Sequence, residues 1–163
     1  GAYGVGVAAS AALKVLRTDK IALPKLNGYE PRAVALAEYE DFVLCSTHLD
    51  LTLESQIGQI EAINHYVDSV YAGCNKPIFI GGDFNALPES ESIKLMQQTW
   101  QLLTPLTFSF PAPAPSRCID YVFVRPNGRE VSVEAASIPV TLQNVDLSTA
   151  SDHLPVALTV TIR

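Results

Sequence analysis

The sequence predicts an α/β domain: a two-sheet α/β sandwich, antiparallel-rich and flanked by helices. Two patterns carry that expectation. Short apolar runs bounded by Asp, Asn, His, Gly or Pro recur through both halves of the chain, and one long segment switches to a helical period. No repeat, linker or low-complexity tract divides the 163 residues, and their 48% hydrophobic content suffices for one sizeable core.

Val5 to Ala9, Arg32 to Ala37 and Phe42 to Thr47 read as strands, the last two joined by the short turn Glu38-Tyr39-Glu40-Asp41. From Leu53 to Ala72, Ile57, Ile60, Ile63, Val67 and Val70 recur every three or four residues while Glu54, Glu61 and Asp68 point elsewhere. That is an amphipathic helix, with Gly73 as its natural stop. His65 falls within it as a surface residue. Pro77 to Ile80 reads as a buried strand, and Pro88 to Ser92 leads into a second helix, Glu91 to Gln98, whose acidic first turn suits the helix dipole. Trp100 to Leu103 closes that element. Pro111, Pro113 and Pro115 exclude helix and central strand between Thr107 and Ser116 and leave a rigid loop. Val131 to Val133, Ile138 to Leu142 and Leu154 to Ile162 complete a β-rich second half.

Composition narrows the function classes. No apolar run reaches the roughly 18 residues of a membrane span. Eleven Lys and Arg stand against 17 Asp and Glu, a net charge of −6, and the basic residues are scattered. A surface that tracks many phosphates needs clustered positive charge, so nucleic acid is not a favoured partner. Cys45, Cys74 and Cys118 have neither CxxC spacing nor a His at zinc-finger distance.

The chemistry is concentrated in four segments: Ser46-Thr47-His48-Leu49-Asp50, Gly81-Gly82-Asp83-Phe84-Asn85, Ile119-Asp120-Tyr121 and Ser151-Asp152-His153. Each places Asp, Asn or His where a strand-like run starts or stops. If the strands ending at His48 and Asp83 run against those opening at Asp120 and Asp152, all the polar groups meet at one edge. Carboxylates, an amide and two imidazoles gathered there form a hydrolytic set. Asp83 and Asn85 follow two glycines that let backbone and substrate approach closely, although an Asx turn ending the strand is the plainer reading. Asp120 has a turn residue's role as its alternative, and His48 a bond to a backbone carbonyl. Asp50 reads as a cap on the turn into the helix. Arg117 and Arg32 could each reach a phosphate or pair with a neighbouring carboxylate.

In order and spacing, THLD, GDFN, IDYVFV and SDH resemble the endonuclease/exonuclease/phosphatase superfamily, the metal-dependent phosphoesterases of the deoxyribonuclease I-like fold. The match runs from about Tyr3 to the C-terminus. It implies a partial domain over 1–163, with the first third absent, because Tyr3 to Ser10 is similar to a mid-domain strand that follows the family's metal-binding Glu. Glu30, Glu38 and Glu40 lie on the wrong side of the match to replace that Glu. By the resemblance, Asp83 orients or deprotonates the attacking water and Asn85 contacts the phosphate or metal water. Asp120 holds His153 by a hydrogen bond, His153 is the base or a transition-state contact, and His48 touches the scissile phosphate or protonates the leaving group. Asp152 is the metal ligand, and oxygen-rich ligands without Cys favour Mg²⁺ or Mn²⁺. The implied function is metal-dependent hydrolysis of a phosphoester by activated water. The alternative is a catalytically incomplete module that binds a partner or phosphorylated ligand. A domain lacking strands should also expose a sheet edge, and self-association is expected there.

Overall fold

The structure, a computed structural model, describes residues 3–27 and 30–163. The main sheet contains β1 (Arg17–Ala22), β2 (Ala33–Glu38), β3 (Val43–His48), β4 (Ile78–Asp83), β5 (Gln101–Leu102) and β6 (Asp120–Arg125), in the order β1-β2-β3-β4-β6-β5. All neighbours are antiparallel except β3 and β4. Two strands running the same way need a crossover, and α1 (Leu53–Val70) supplies it.

Period-two alternation assigns each face of this sheet. Val34, Leu36, Val43, Cys45, Ile78, Ile80, Tyr121 and Phe123 pack with α1 and with α2 (Glu91–Gln97) in the larger core. Leu44, Phe79, Val122 and Val124 point the other way, towards the second sheet. That sheet is the antiparallel pair β7 (Val131–Ser137) and β10 (Ala157–Ile162), which presents Val131, Leu158, Val160 and Ile162. Between β7 and β10, β8 (Thr141–Leu142) and β9 (Val145–Asp146) form a hairpin, with Gln143 and Asn144 at φ 48° and 69° as a tight two-residue turn requires. The two-sheet α/β arrangement is therefore present, with both helices on one face of the main sheet.

Three expectations about elements need correction. Val5 to Ala9 is not a strand. Gly6, Val7 and Ala8 instead cross the second face of the main sheet, walling a cavity of about 490 Å³ with Leu44, Phe79 and Leu154. Among the described residues no strand runs alongside to offer them a ladder. The edge strand is β1, which the sequence hides because Arg17, Thr18, Asp19 and Lys20 leave Ile21 as its one large apolar residue. Main-chain pairing to β2 holds it, and its charges discourage further pairing at the edge. In the C-terminal region, only Thr141 and Leu142 of the expected 138–142 strand pair, and β10 starts at Ala157, beyond Pro155.

Helix α1 also buries more than its apolar stripe. Ser55, Gln56 and Gln59 are buried, and the two glutamines tie strand-end loops to the helix. Gln56 Nε2 donates to the carbonyls of Asp50 (2.9 Å) and Asn85 (3.0 Å), while its Oε1 accepts from Ser92. Gln59 accepts from the Asp50 amide at 2.9 Å. These bonds fix the two loops that leave β3 and β4.

Candidate active site

Strand register alone brings three of the four motifs into one row. His48, the last residue of β3, lies opposite Asp83, the last of β4, which lies opposite Asp120, the first of β6. All three occupy the face turned from the helices. The fourth motif arrives on the loop ahead of β10, where the Leu154 amide donates to the Ser109 carbonyl and the Ala112 amide to the Asp152 carbonyl. His153 is thereby placed with Nδ1 2.8 Å from Asp120 Oδ2 and Nε2 3.7 Å from Asp83 Oδ2. His48 Nε2 approaches the same Asp83 oxygen at 3.4 Å. One carboxylate stands between two imidazoles.

Glycine is essential to this row. Gly82 has φ +150°, and a Cβ there would lie 1.9 Å from the Thr47 carbonyl oxygen. Any side chain would push β3 from β4 beside His48 and Asp83. The next loop turns sharply at Asn85, φ +50°. Its amide donates to Asp83 Oδ1 at 2.8 Å, and its side-chain nitrogen donates to the Leu49 carbonyl at 2.9 Å. The Asx turn and the site geometry are thus the same feature: the bond that ends the strand also orients the Asp83 carboxylate.

The electrostatics separate the two histidines. Burial, with Arg32 and His153 nearby, outweighs Asp83 and holds the His48 pKa below its ordinary value. Burial opposes the charged form of His153 as well. The Asp120 hydrogen bond, with the charges of Asp120, Asp83 and Asp152, overcomes it and raises that pKa. The Asp83 carboxyl is pushed up by burial and by Asp120, against the Asn85 amide and both histidines. Environments that drive paired groups in opposite directions are those in which acid and base roles divide.

Three contributors escaped the sequence reading. Ser109, fully buried, donates to Asp120 Oδ2 at 2.5 Å, so the carboxylate that holds His153 is itself held. Ser109 sits in the Pro-rich loop, where nothing local marks it. The Tyr3 hydroxyl bonds His48 Nδ1 at 2.7 Å across 45 residues of chain. Phe110 packs against the His153 ring with centroids 4.7 Å apart.

Other candidates fall outside the row. Asp152 is exposed on its loop, its carboxylate accepting from Ser151 Oγ at 3.3 Å. Asp50 is buried and caps the turn into α1, accepting from the Leu51 and Thr52 amides. Arg117 and His65 are exposed. Glu38 pairs with Lys76 at the opposite end of the sheet. For a divalent cation, Asp83, Asp120 and His153 each offer a ligand atom, all within 4.8 Å of one another. Two hard carboxylates and an imidazole, all partly buried, fit such an ion.

Among solved structures, a mannosyl-6-phosphatase of Bacteroides thetaiotaomicron superposes with a TM-score of 0.76 at 16% identity, covering 91% of this chain and 67% of that one. An endonuclease/exonuclease/phosphatase from Bacteroides vulgatus gives 0.75 at 18%, covering 93% and 67%. The human Nocturnin catalytic domain gives 0.66 at 16%, covering 93% and 60%. At such identities the likeness establishes the deoxyribonuclease I-like fold. No curated protein sequence matches the chain. The sequence profile described as "Endonuclease/Exonuclease/phosphatase family" matches residues 1–153, through all four motifs. The chain belongs to the endonuclease/exonuclease/phosphatase family.

Proposed function

We propose that these residues hydrolyse a phosphoester with activated water, assisted by Mg²⁺ or Mn²⁺, and that the substrate is small or lipid-linked rather than nucleic acid. The observation that carries this reading is the Asp83 carboxylate held between His48 and His153, with Asp120 fixing the latter. Asp83, with its raised pKa, takes a proton from water as the water oxygen bonds to phosphorus and the ester P–O bond breaks. His153 donates through Nδ1 to Asp120, and its raised pKa favours the imidazolium, whose Nε2–H faces charge growing on the phosphoryl oxygens. His48 is held neutral. With Tyr3 donating to its Nδ1, its proton sits on Nε2 and is offered to a phosphoryl oxygen or the leaving group. Asn85 keeps its side-chain oxygen and one N–H for a phosphate or an ordered water. The carboxylates of Asp83 and Asp120, with Asp152 at the rim, would hold a divalent ion, which would supply further positive charge for the phosphoryl group, and His153 would join them as a ligand only when neutral.

The test is hydrolysis of p-nitrophenyl phosphate and bis(p-nitrophenyl) phosphate in Mg²⁺ or Mn²⁺, before and after chelation, by this chain and by any longer form that contains it. Metal-dependent turnover is expected of the longer form. On the family resemblance no Glu of this chain stands at the position of the family's principal metal ligand, so the chain alone should turn over weakly. A longer form inert towards every phosphoester would overturn the proposal. Self-association is proposed with it: an apolar groove of about 380 Å³, lined by Phe42, Leu44, Phe79, Val122 and Leu158, opens between the sheets. Pairing of two copies there should double the mass seen by light scattering, and a stable monomer would refute it.

A further inference from the structure

Beside the site, on the far side of His48 from Asp83, lies a cavity of about 460 Å³ lined by Tyr3, Lys20, Arg32, Ala33, Ala35 and His48. Its polar lining is mostly basic, although the chain as a whole is acidic. Arg32 is its most unusual member. Its side chain is only 8% exposed, and buried Nε and Nη1 have no hydrogen-bond partner among the described residues. Nη2 meets one carboxylate, Glu30, at 3.5 Å, and Glu30 is itself 56% exposed. A guanidinium taken out of water with so weak a counter-charge is costly to the fold. Lys20 enters the same cavity from β1, where it faces Ala35 of β2. The small side chains of Ala33 and Ala35 leave room between the two cations and the His48 ring. Charge, space and donors all suit an anion.

We propose that this cavity is a second anion subsite: Arg32 and Lys20 bind a phosphate group of the substrate other than the one hydrolysed, making the preferred substrate a small molecule with two phosphates. The proposal rests on the phosphoester reading of the neighbouring row and deepens it. One compact basic pocket suits one extra phosphate, whereas a nucleic-acid strand would need a basic track. Glu30 plays the stand-in, occupying Nη2 until a better-matched anion displaces it. Arg32 is thus a specificity residue whose charge also bears on His48.

The experiment uses inorganic phosphate as probe and needs no turnover. Phosphate is titrated into the chain while the Arg32 Nε–H and His48 ring signals are followed by NMR. Both should shift and saturate together. Arg32→Gln should weaken this binding by at least about tenfold. Arg32→Lys should weaken it less, as it keeps the charge and loses the planar fork. Glu30→Gln should tighten it by removing the competing carboxylate. If Arg32 instead serves the fold, Arg32→Gln will lower the melting temperature and Glu30→Gln will leave phosphate affinity unchanged, which overturns the proposal. So does a titration in which phosphate moves His153 but not Arg32. Phosphate bound at Arg32 in a longer form that hydrolyses no phosphoester would sink the hydrolase reading and keep the subsite. Hydrolysis without any Arg32 response would do the reverse.

Discussion

The two ends of the main sheet are built on opposite electrostatic rules. At one end the cross-strand row is Glu38, Val43, Ile78 and Arg125; at the other it is His48, Asp83 and Asp120. The first end pairs unlike charges directly, with only Arg125 Nε left without a partner among the described residues. Glu38 accepts from Lys76 at 2.7 Å and from the Tyr71 hydroxyl, and Lys76 also reaches the Tyr39 carbonyl. Arg125 binds Asp68, Asn64 and Thr99 and lies over the Trp100 ring at 4.9 Å. The second end crowds like groups: two carboxylates and two imidazoles contact one another, with a poorly paired guanidinium nearby. Groups arranged only for stability would be matched one to one. Titratable groups packed against one another, with shifted pKa values, are the arrangement that marks a candidate site.

The comparison is tested first by asking which end carries activity. Asp83→Ala or His153→Ala should lower the rate of the metal-loaded longer form by at least about a hundredfold, with little change in KM. Because burial raises the Asp83 pKa, the folded state holds that proton longer than the unfolded one. Its stabilising contribution is present below the ordinary carboxylate pKa and is lost as pH rises through the raised value. Asp83→Asn should therefore raise the melting temperature at pH 7 and have little effect near pH 3. A fall at pH 7 would erase the distinction between the ends.

Gly82→Ala should cost more than about 2 kcal/mol by denaturant titration, because the Thr47 carbonyl cannot yield without parting β3 from β4. Arg125→Ala should cost about 1–2 kcal/mol through lost hydrogen bonds and ring contact while leaving kcat/KM unchanged. A rate change there would mean that the ends communicate.

Finer still is the split between the histidines. In an NMR titration His48 should lose its proton below the ordinary histidine value and His153 above it. His153 then contributes stability that is full below the unfolded pKa and lost as pH rises through its folded one. His48 contributes stability present above the unfolded pKa and lost as pH falls towards its lowered one. Coincident titrations would remove the division of labour proposed for them. The smallest effect belongs to His65→Ala, an exposed position on α1, where stability should stay within about 0.5 kcal/mol and activity should not change.

Much of this was written in the chain before folding. The 3.6-residue period of Ile57, Ile60, Ile63 and Val67 specified α1, which ends at Val70 with Tyr71 as its cap, two residues short of the expected Ala72, and Gly73 at φ +70° shapes the turn that follows. Apolar runs at 32–37, 42–47, 77–80 and 121–124 marked four central strands, because a sheet covered on both faces needs apolar residues at successive positions. Since each of the four motifs sits at a strand end or just ahead of a strand, the same pattern also placed His48, Asp83 and Asp120 near one edge. What sequence could not supply was everything set by partners distant in the chain. β1 is held by backbone pairing rather than by apolar side chains, and Val5 to Ala9 has strand-like residues but no strand among the described residues to pair with. Ser109, Tyr3 and Gln56 gain their roles only because residues far along the chain deliver Asp120, His48 and Asn85 to them. Register put His48, Asp83 and Asp120 opposite one another, and the loop ahead of β10 folded His153 onto that row while leaving Asp152 in solvent. Local pattern determines which residues lie inside and which end a strand. Contact between charges, and so every shifted pKa, is decided only when the strands are laid side by side.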